Sequence, residues 1–329
     1  MFYFPELIKK PWPMKGYFEK GKRYQVFEKI AQGTYAEVYR GHDLKHDLPV
    51  ALKIYPMTEK GYATVWNAKG ELISRLEAEI QAPLDHPNIT KVYKFFVAND
   101  PRAKTKQKIS VVAQEYLSSD KYLRLDHLIK SQVTLYLSDI TQIISDLASA
   151  IDYLHENNLY HRDIKPGNVF YARGRWGRNT KLIDFGISSK IHSGSPGSPI
   201  YTHPQRLLGS ISKDNQLLNG YYYGEIYSLA LLFYELLARK HPFHQKQKIK
   251  NDSASVAMNS LNCPYQNWGL IYRPEEVTKF LKPIDHRAIQ GNLYKLDQIL
   301  FAALRINNDQ NHSYFKKAND FSKALNNLF

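Results

Sequence analysis

The sequence predicts an α+β fold in which a small half, built from an antiparallel sheet and one main helix, precedes a larger helical half. The first indication is a set of short runs rich in Val, Ile and Tyr between Tyr24 and about Tyr55, which alternate with turn residues and favour antiparallel hairpins. The second is a change of character after about residue 118, where segments with the helical spacing of apolar residues dominate. The boundary between the halves is expected near residues 117–120.

Each element follows from its own residue pattern. Residues 1–22 are rich in Lys, Pro and aromatic residues, lack clear periodicity and are expected to form an extension. Strands are predicted at 24–32, 36–43, 49–55, 89–98 and 108–117. Helices are predicted at 66–82, with Leu72, Leu76 and Ile80 in register, and at 139–158, 227–239, 293–304 and 314–329. The predicted organisation is an extension (1–22), a sheet-rich domain (23–117) and a helical domain (118–329).

Composition narrows the classes of partner. The 329 residues are 43% hydrophobic, which is typical of a globular protein with one or two domains. The net charge of +14 favours acidic partners, but no nucleic-acid-binding motif accompanies it, so no nucleic acid partner is expected. Its basic clusters, at 102–108, 173–178 and 246–250, are interpreted first as solvated loops and second as docking patches. The sequence carries no signal for an oligomeric state.

Cysteine usage and hydropathy bear on location. The single cysteine, Cys263, suits a reducing compartment. The opening residues MFYFPELIKK have no basic segment of the kind that starts a secretory signal, and the longest apolar run, 227–238, is too short to span a bilayer. A cytoplasmic protein without a membrane span is expected, although a protein exported without a classical signal would have the same features.

Two segments of the first half carry polar chemistry. Lys53 ends the alternating run VALK and should point inward, where a bare ammonium needs an anionic partner such as Glu77 on the following helix or a phosphate. The segment IAQGTYAEVYRG (30–41) lies between two strands, and its small residues would let backbone amides approach phosphates. Since only Gly33 there is glycine, with Ala31 and Ala36 beside it, a plain hairpin is an equal alternative.

The second half holds a denser cluster. The stretch YHRDIKPGNV (160–169) places Asp163 and Asn168 around a tight turn that contains Lys165. A later apolar run, KLIDFGIS, carries Asp184. Two acids and an asparagine at strand ends supply the hard oxygen ligands that Mg²⁺ prefers.

Taken together, these segments resemble the eukaryotic-type protein kinase family, over about residues 24–325. The matching signatures are VALK (50–53), HPNI (86–89), HRDIKPGN (161–168), DFG (184–186) and SPIYTHPQ (198–205), which occur in order and at suitable spacing. The resemblance implies a two-lobed protein-kinase fold, with ATP bound between the lobes and Mg²⁺ as the metal, a place that Mn²⁺ could also fill. Lys165 resembles the lysine typical of serine/threonine kinases, so the implied activity is phosphoryl transfer from ATP to protein Ser/Thr hydroxyls.

The resemblance also implies a role for each matching residue. Asp163 would be the catalytic base, Lys165 would steady the transferred group, and Lys53 with Glu77 would hold the α- and β-phosphates. Glu79 is the alternative partner for Lys53. The implied metal ligands are Asn168 and Asp184. The remaining nucleotide contacts would come from Ala31, Gly33, Val38, Ala51, Glu115, Leu117 and Phe170, with Gln114 in the gatekeeper place. For Val38 and Ala51, ordinary core packing is an equal alternative.

Three departures from the family pattern stand out. Ala31 and Ala36 replace glycines that the family prefers, which would stiffen the loop. Gln205 stands where the family has a glutamate, and Asn311 stands at the place of its arginine partner, so an amide pair would replace an ion pair. Glu225 replaces the aspartate that normally bonds the HRD backbone. None of these changes removes a group expected to touch phosphate or metal, so an active enzyme is expected.

Two further expectations and two alternatives remain. Ser193 or Ser195, in the segment after DFG, is expected to be autophosphorylated, with Arg162 as a clamp for the phosphate; a plain flexible loop is the alternative. The main alternative function is an ATP-binding pseudokinase that acts as a scaffold or regulatory module, motivated by the altered loop and by Gln205. A small-molecule kinase of related fold ranks last, because such enzymes commonly lack the equivalents of Lys165 and SPIYTHPQ.

Overall fold

The structure is a computed structural model, which describes residues 17–18, 23–33, 36–56, 73–100, 108–131, 133–172, 177–186, 188, 198–203, 207, 221–241, 281, 285–304 and 315–329. The chain folds into two compact units. The first consists of Met1–Asp85 with Thr90–Ser118, and the second of His86–Ile89 with Ser119–Phe329. We refer to them as the N-terminal unit and the C-terminal unit.

The N-terminal unit is an antiparallel sheet with one described helix packed on it. Its strands are β1 (Tyr17–Phe18), β2 (Tyr24–Gln32), β3 (Glu37–Asp43), β4 (Leu48–Pro56), β5 (Val92–Asn99) and β6 (Lys108–Glu115), in the order β1-β2-β3-β4-β6-β5. The helix is α1 (Ile73–Gln81). Alternation along each strand directs one set of side chains into an apolar cluster that includes Leu52 and Ile54, and the other set toward α1, where Tyr55, Ala78 and Val112 pack together.

The predicted sheet and the predicted helix are both present. The two-residue strand β1, which pairs with β2 through Tyr17 and Phe18, was not predicted, because two residues are too few to show alternation. The predicted helix at 66–82 is described from Ile73 onward, and Leu72 lies outside the described residues. The strand expected at 89–98 spans Val92–Asn99, because Ile89 instead forms an isolated bridge with Leu182 in the C-terminal unit.

The C-terminal unit combines helices with a small antiparallel sheet. The sheet consists of β7 (Tyr122–Arg124), β8 (Val169–Ala172) and β9 (Asn179–Leu182). Its described helices are α2 (Leu125–Lys130), α3 (Leu137–Glu156), α4 (Tyr221–Ala238), α5 (His286–Leu304) and α6 (Ala318–Asn326). Residues 224–238 of α4 are all buried, as its nearly uniform apolar sequence predicts for a central helix. Within the part of the chain that the structure describes, no helix is both long and apolar enough to cross a membrane.

The long helices match their predictions in place but not in their first residues. α4 begins at Tyr221 rather than 227, and α5 begins at His286 rather than 293. Apolar periodicity marks the buried stretch of a helix, whereas the exact start depends on local capping, which periodicity does not show. Several predictions concern residues outside the described ones: Ser193, Ser195, Gln205 and Asn311, and most of the basic clusters at 102–108, 173–178 and 246–250.

Candidate active site

Lys53 and Glu77 form a buried ion pair inside the N-terminal unit. The Nζ atom of Lys53 lies 2.7 Å from Oε1 of Glu77, and their side chains are 13% and 0% exposed. Strand β4 presents Lys53 toward α1 because Leu52 and Ile54, its neighbours in sequence, occupy the opposite face. Glu79, the alternative partner, is exposed on α1 and pairs with Arg75 at 2.7 Å. Of the two glutamates, the fold therefore brings Glu77 to the lysine.

Glu77 has a second partner that the sequence reasoning missed. The hydroxyl of the buried Tyr55 donates a hydrogen bond to Oε2 of Glu77. Tyr55 follows Lys53 by two positions, and residues two apart on a strand share a face, so this spacing was the available signal. The carboxylate is thus held by one donor on each oxygen.

The predicted nucleotide contacts of the hairpin and of β4 lie on one face of the sheet. Ala31 pairs with Val38, and Val38 pairs with Lys53, in the β2–β3 and β3–β4 ladders. Directly paired residues in antiparallel strands point to the same side, and Ala51 lies two positions before Lys53, so all four share the face that carries Lys53. Neither Val38 nor Ala51 belongs to the two apolar clusters of the described sheet.

The turn after β2 is closed by backbone groups. The amide of Gly33 donates to the carbonyl of Ala36 at 2.8 Å, and a Cβ at Gly33 would lie 3.3 Å from that same oxygen, so a larger residue would crowd the turn. Neither Ala31 nor Ala36 has a positive φ. The two alanines therefore occupy conformations open to any L-residue, and they introduce no backbone strain here.

The predicted adenine-binding segment continues from strand β6. Gln114 pairs with Ala51, and the amide of Glu115 donates to the carbonyl of Lys91 at 2.8 Å. Leu117 follows two residues after the strand ends. Phe170, the other expected contact of the adenine ring, lies in the C-terminal unit on β8, paired with Arg124 and Lys181.

Asp163 lies at the centre of the polar cluster in the C-terminal unit. Its Oδ2 atom accepts from Nζ of Lys165 at 2.6 Å and from Nδ2 of Asn168 at 2.8 Å. Its Oδ1 atom accepts from both the amide and the hydroxyl of Ser198, each at 2.9 Å. Lys165 also donates to the Ser198 hydroxyl at 2.8 Å, which closes a triangle of three side chains.

These donors decide the charge state of Asp163. Burial by itself would raise the pKa of the carboxyl, but the ammonium of Lys165 and the hydrogen bonds from Ser198 outweigh burial and hold the pKa below its usual value. The carboxylate is ionised at neutral pH and can accept a proton. The triangle accounts for the short spacing between Asp163 and Lys165 in the sequence.

Asn168 and Asp184 provide donors of the type that Mg²⁺ binds. The amide nitrogen of Asn168 donates to the side chain and to the carbonyl of Asp163, each at 2.8 Å, so the amide oxygen points away from Asp163. The backbone amide of Ile183, the residue before Asp184, donates to the carbonyl of Asn168 at 3.0 Å, so the two segments lie side by side. An amide oxygen and a carboxylate fit a hard divalent cation.

The backbone around the cluster is held in unusual conformations. Arg162 and Asp184 have φ angles of 72° and 68°, values that non-glycine residues adopt only when other contacts compensate. The amide of Arg162 donates to Oε1 of Glu225 at 2.6 Å. For Asp184, His161 contacts the preceding residue, bonding the Ile183 carbonyl at 3.0 Å, and its ring packs edge-on against Phe185.

The carboxylate of Glu225 accepts two hydrogen bonds. Besides the Arg162 amide, it accepts from His155 Nε2 at 2.7 Å, and both side chains are 2% exposed. Burial would raise the pKa of Glu225, but the hydrogen bonds from His155 and Arg162 hold it below its usual value. The longer acid thus still bonds the backbone before Asp163. The contribution of His155, which is distant in sequence, was not predicted.

Comparison with known proteins agrees with this geometry. Residues 24–289 match the family model described as protein kinase domain. The chain is 31% identical over 248 residues to the serine/threonine-protein kinase PrkC of Bacillus subtilis. The aligned region covers 73% of this chain and 33% of that protein. It is 30% identical over 235 residues to CBL-interacting serine/threonine-protein kinase 21 of Arabidopsis thaliana, which covers 67% of this chain and 48% of that protein.

The match is to one region of these relatives, since the chain spans less than half the length of either one. The matched region holds every catalytic, nucleotide-contacting and metal-binding residue predicted from the sequence. The described fold, an antiparallel sheet with one helix followed by a helical unit, confirms the predicted α+β class. The chain belongs to the protein kinase family.

Proposed function

We propose that the chain is a serine/threonine protein kinase that transfers the γ-phosphoryl group of ATP to Ser or Thr hydroxyls of a protein. The observation that carries the proposal is the Asp163–Lys165–Ser198 triangle, an ionised carboxylate beside an ammonium on one short turn. The names of the two relatives, both serine/threonine-protein kinases, support the same activity.

In this proposal Asp163 accepts the proton of the substrate hydroxyl as that oxygen attacks the γ-phosphorus. The bond from the γ-phosphorus to its bridging oxygen breaks, and ADP leaves with the bond's electrons. Asp163 accepts four hydrogen bonds from the protein, which is about the full capacity of a carboxylate. One donor must therefore yield to the substrate. Ser198 is the favoured one, because its hydroxyl is neutral and its amide would still hold Oδ1.

In this proposal, one lysine in each unit provides positive charge for the phosphates of ATP. Lys165 would neutralise charge that spreads over the transferred group, and Lys53, aligned by Glu77, would bind the α- and β-phosphates. Asn168 and Asp184 would hold Mg²⁺, or Mn²⁺ in its place, through their oxygens. When bound, the metal supplies charge neutralisation and orientation of the phosphates.

Finer assignments belong to the same proposal. The boundaries 1–22, 23–117 and 118–329 are proposed for the extension and the two lobes. Ala31, Gly33, Val38, Ala51, Glu115, Leu117 and Phe170 are proposed as nucleotide contacts. Autophosphorylation of Ser193 or Ser195 is proposed from the sequence alone. A cytoplasmic location is proposed from the single cysteine, and an acidic protein substrate is proposed from the net charge of +14.

The direct test is phosphoryl transfer by the purified chain with Mg²⁺ and γ-labelled ATP, with itself and a generic protein as acceptors. We expect label on Ser and Thr in the wild type, and a loss of at least about 100-fold in both Asp163→Ala and Lys53→Ala. Glu79→Gln is the matched control for the ion pair, since Glu79 is exposed and pairs with Arg75, and it should retain wild-type activity.

The same assay separates the enzyme from a binding module. If no acceptor is labelled while Mg²⁺ and ATP still raise the melting temperature, the proposed activity is wrong and the chain binds nucleotide without transferring phosphate. If Asp163→Ala is labelled as well as the wild type, the assigned base is wrong.

A further inference from the structure

We propose that Tyr55 is a positioning residue that holds Glu77 in line with Lys53 and so sets the affinity for ATP. The inference rests on the proposed function, because it assigns Lys53 to the nucleotide phosphates. Its basis is the pair of contacts on Glu77: Lys53 on Oε1 at 2.7 Å and the Tyr55 hydroxyl on Oε2.

A buried carboxylate needs a partner on each oxygen. Glu77 is 1% exposed, so an oxygen without a donor would carry the full cost of its desolvation. Among the described contacts Lys53 donates to Oε1, and the carboxylate could rotate about its last torsion to present either oxygen. The Tyr55 hydroxyl removes that freedom, because it occupies Oε2 and leaves Oε1 directed at the ammonium.

Tyr55 is suited to act as a permanent donor. Burial, reinforced by the negative charge of Glu77, raises the pKa of its hydroxyl well above the ordinary value, so the proton stays on the oxygen at physiological pH. Its ring is fixed in the apolar cluster with Ala78, Val92 and Val112. The same ring lies 5.5 Å from the Lys53 ammonium, so Tyr55 contacts both members of the pair.

Two other buried polar contacts fix the helix that carries Glu77. Near the start of α1, Ser74 bonds Ser110 hydroxyl to hydroxyl at 2.7 Å. At its end, Gln81 donates to the carbonyl of Thr90 at 2.7 Å and to its hydroxyl at 3.0 Å. Residues 74, 77 and 81 are spaced three and four apart and lie on one helix face. All of these partners belong to the N-terminal unit, so contacts within that unit fix the rotation and register of α1.

Core packing explains the ring of Tyr55, but it does not explain the hydroxyl. A phenylalanine at position 55 would fill the same apolar cluster without placing a polar atom in it. The hydroxyl reaches Glu77, and this contact distinguishes Tyr55 from an ordinary core residue.

The test compares Tyr55→Phe with Tyr39→Phe in the full chain. Tyr39 is the matched control because it is also a buried tyrosine of the N-terminal sheet whose hydroxyl donates to a glutamate, Glu37, at 3.1 Å. We expect Tyr55→Phe to lower kcat/KM for ATP about ten-fold, mainly through KM, since a hydrogen bond to a charged group is lost. Tyr39→Phe should remain within about two-fold of wild type.

A double-mutant cycle distinguishes positioning from general stability. If Tyr55 acts through Glu77, then adding Tyr55→Phe to Glu77→Gln should change kcat/KM for ATP by less than about two-fold. A further ten-fold loss in that background, or a Tyr55→Phe variant that matches Tyr39→Phe, would overturn the inference.

Nucleotide binding gives a second measurement that does not depend on catalysis. We expect the Kd for Mg²⁺–ADP, measured by calorimetry, to rise about ten-fold in Tyr55→Phe and to stay unchanged in Tyr39→Phe. A wild-type chain that binds ADP but transfers no phosphate would contradict the proposed function, while the ADP comparison would still decide the inference. Equal Kd values for wild type and Tyr55→Phe would reject it.

Discussion

At the scale of single residues, the buried carboxylates differ in the donors that the fold supplies. Asp163 and Glu225 each accept several hydrogen bonds, and their pKa values lie below the usual range despite burial. Glu235 on α4 accepts from the Tyr201 hydroxyl at 2.7 Å, and burial outweighs that bond and raises its pKa to about 7. Glu235 is therefore a buried acid whose charge changes near neutral pH.

Glu235 should make the stability of the chain fall with rising pH. Because its folded pKa lies above its unfolded value, its contribution is complete below the unfolded pKa and is lost as the pH rises through about 7. We expect the wild type to lose up to about 3 kcal/mol of unfolding free energy from this group between pH 5 and 8, and Glu235→Gln to avoid that loss. Urea unfolding of both proteins across this range measures the difference, with Glu79→Gln as the exposed control. Parallel pH profiles for wild type and Glu235→Gln would contradict the assignment.

At the scale of elements, two helix starts are capped by acids from distant parts of the chain. Asp152 on α3 accepts from the amides of Ala318 and Asn319, the first two residues of α6, at 2.8 and 3.1 Å. Asp285 accepts from the amide of Leu137 at the start of α3, at 2.8 Å. Helix starts leave unpaired amides and carry partial positive charge, so an acid placed there both caps the helix and attaches it to its neighbour.

Removing the Asp152 cap should loosen α6. We expect Asp152→Ala to lower the free energy of unfolding by about 1–2 kcal/mol, and Asp152→Asn, which keeps an oxygen acceptor, to lower it by less. Hydrogen exchange of the Ala318 and Asn319 amides should rise in the alanine variant, while the buried core of α4 stays protected. Unchanged exchange at these two amides would show that packing of Phe321 and Leu325, rather than the cap, holds α6.

At the scale of the whole molecule, the net charge of +14 is expected to influence which protein acceptors bind. A basic enzyme attracts acidic acceptors, and the attraction is screened within about 10 Å at 0.1 M salt. We expect KM for an acidic protein acceptor to be lower than KM for a basic one by about ten-fold at 50 mM salt. The ratio should approach one at 500 mM. A preference for the basic acceptor that persists at high salt would contradict the proposed acidic substrate and would indicate a specific acidic contact on the chain.

Much of the candidate site could be predicted because its residues are concentrated in short segments. HRDIKPGN places Asp163, Lys165 and Asn168 on one turn, so their proximity needs no tertiary information. Lys53 and Glu77 lie 24 positions apart, but strand alternation and helix spacing already orient both inward. Helix starts and the strand β1 were beyond such reasoning, since they depend on capping and on pairing of very short segments.

The sequence by itself determined the fold class, the family and the residues expected to carry phosphoryl transfer, because each is encoded by a local pattern or a short motif. Only the tertiary structure decided the partners of several buried polar groups: Tyr55 with Glu77, His155 with Glu225, and the Ala318 amide with Asp152. These pairs are separated by 22, 70 and 166 positions. Periodicity shows that a side chain points inward. Its hydrogen-bond partner inside the protein depends on how elements distant along the chain pack together.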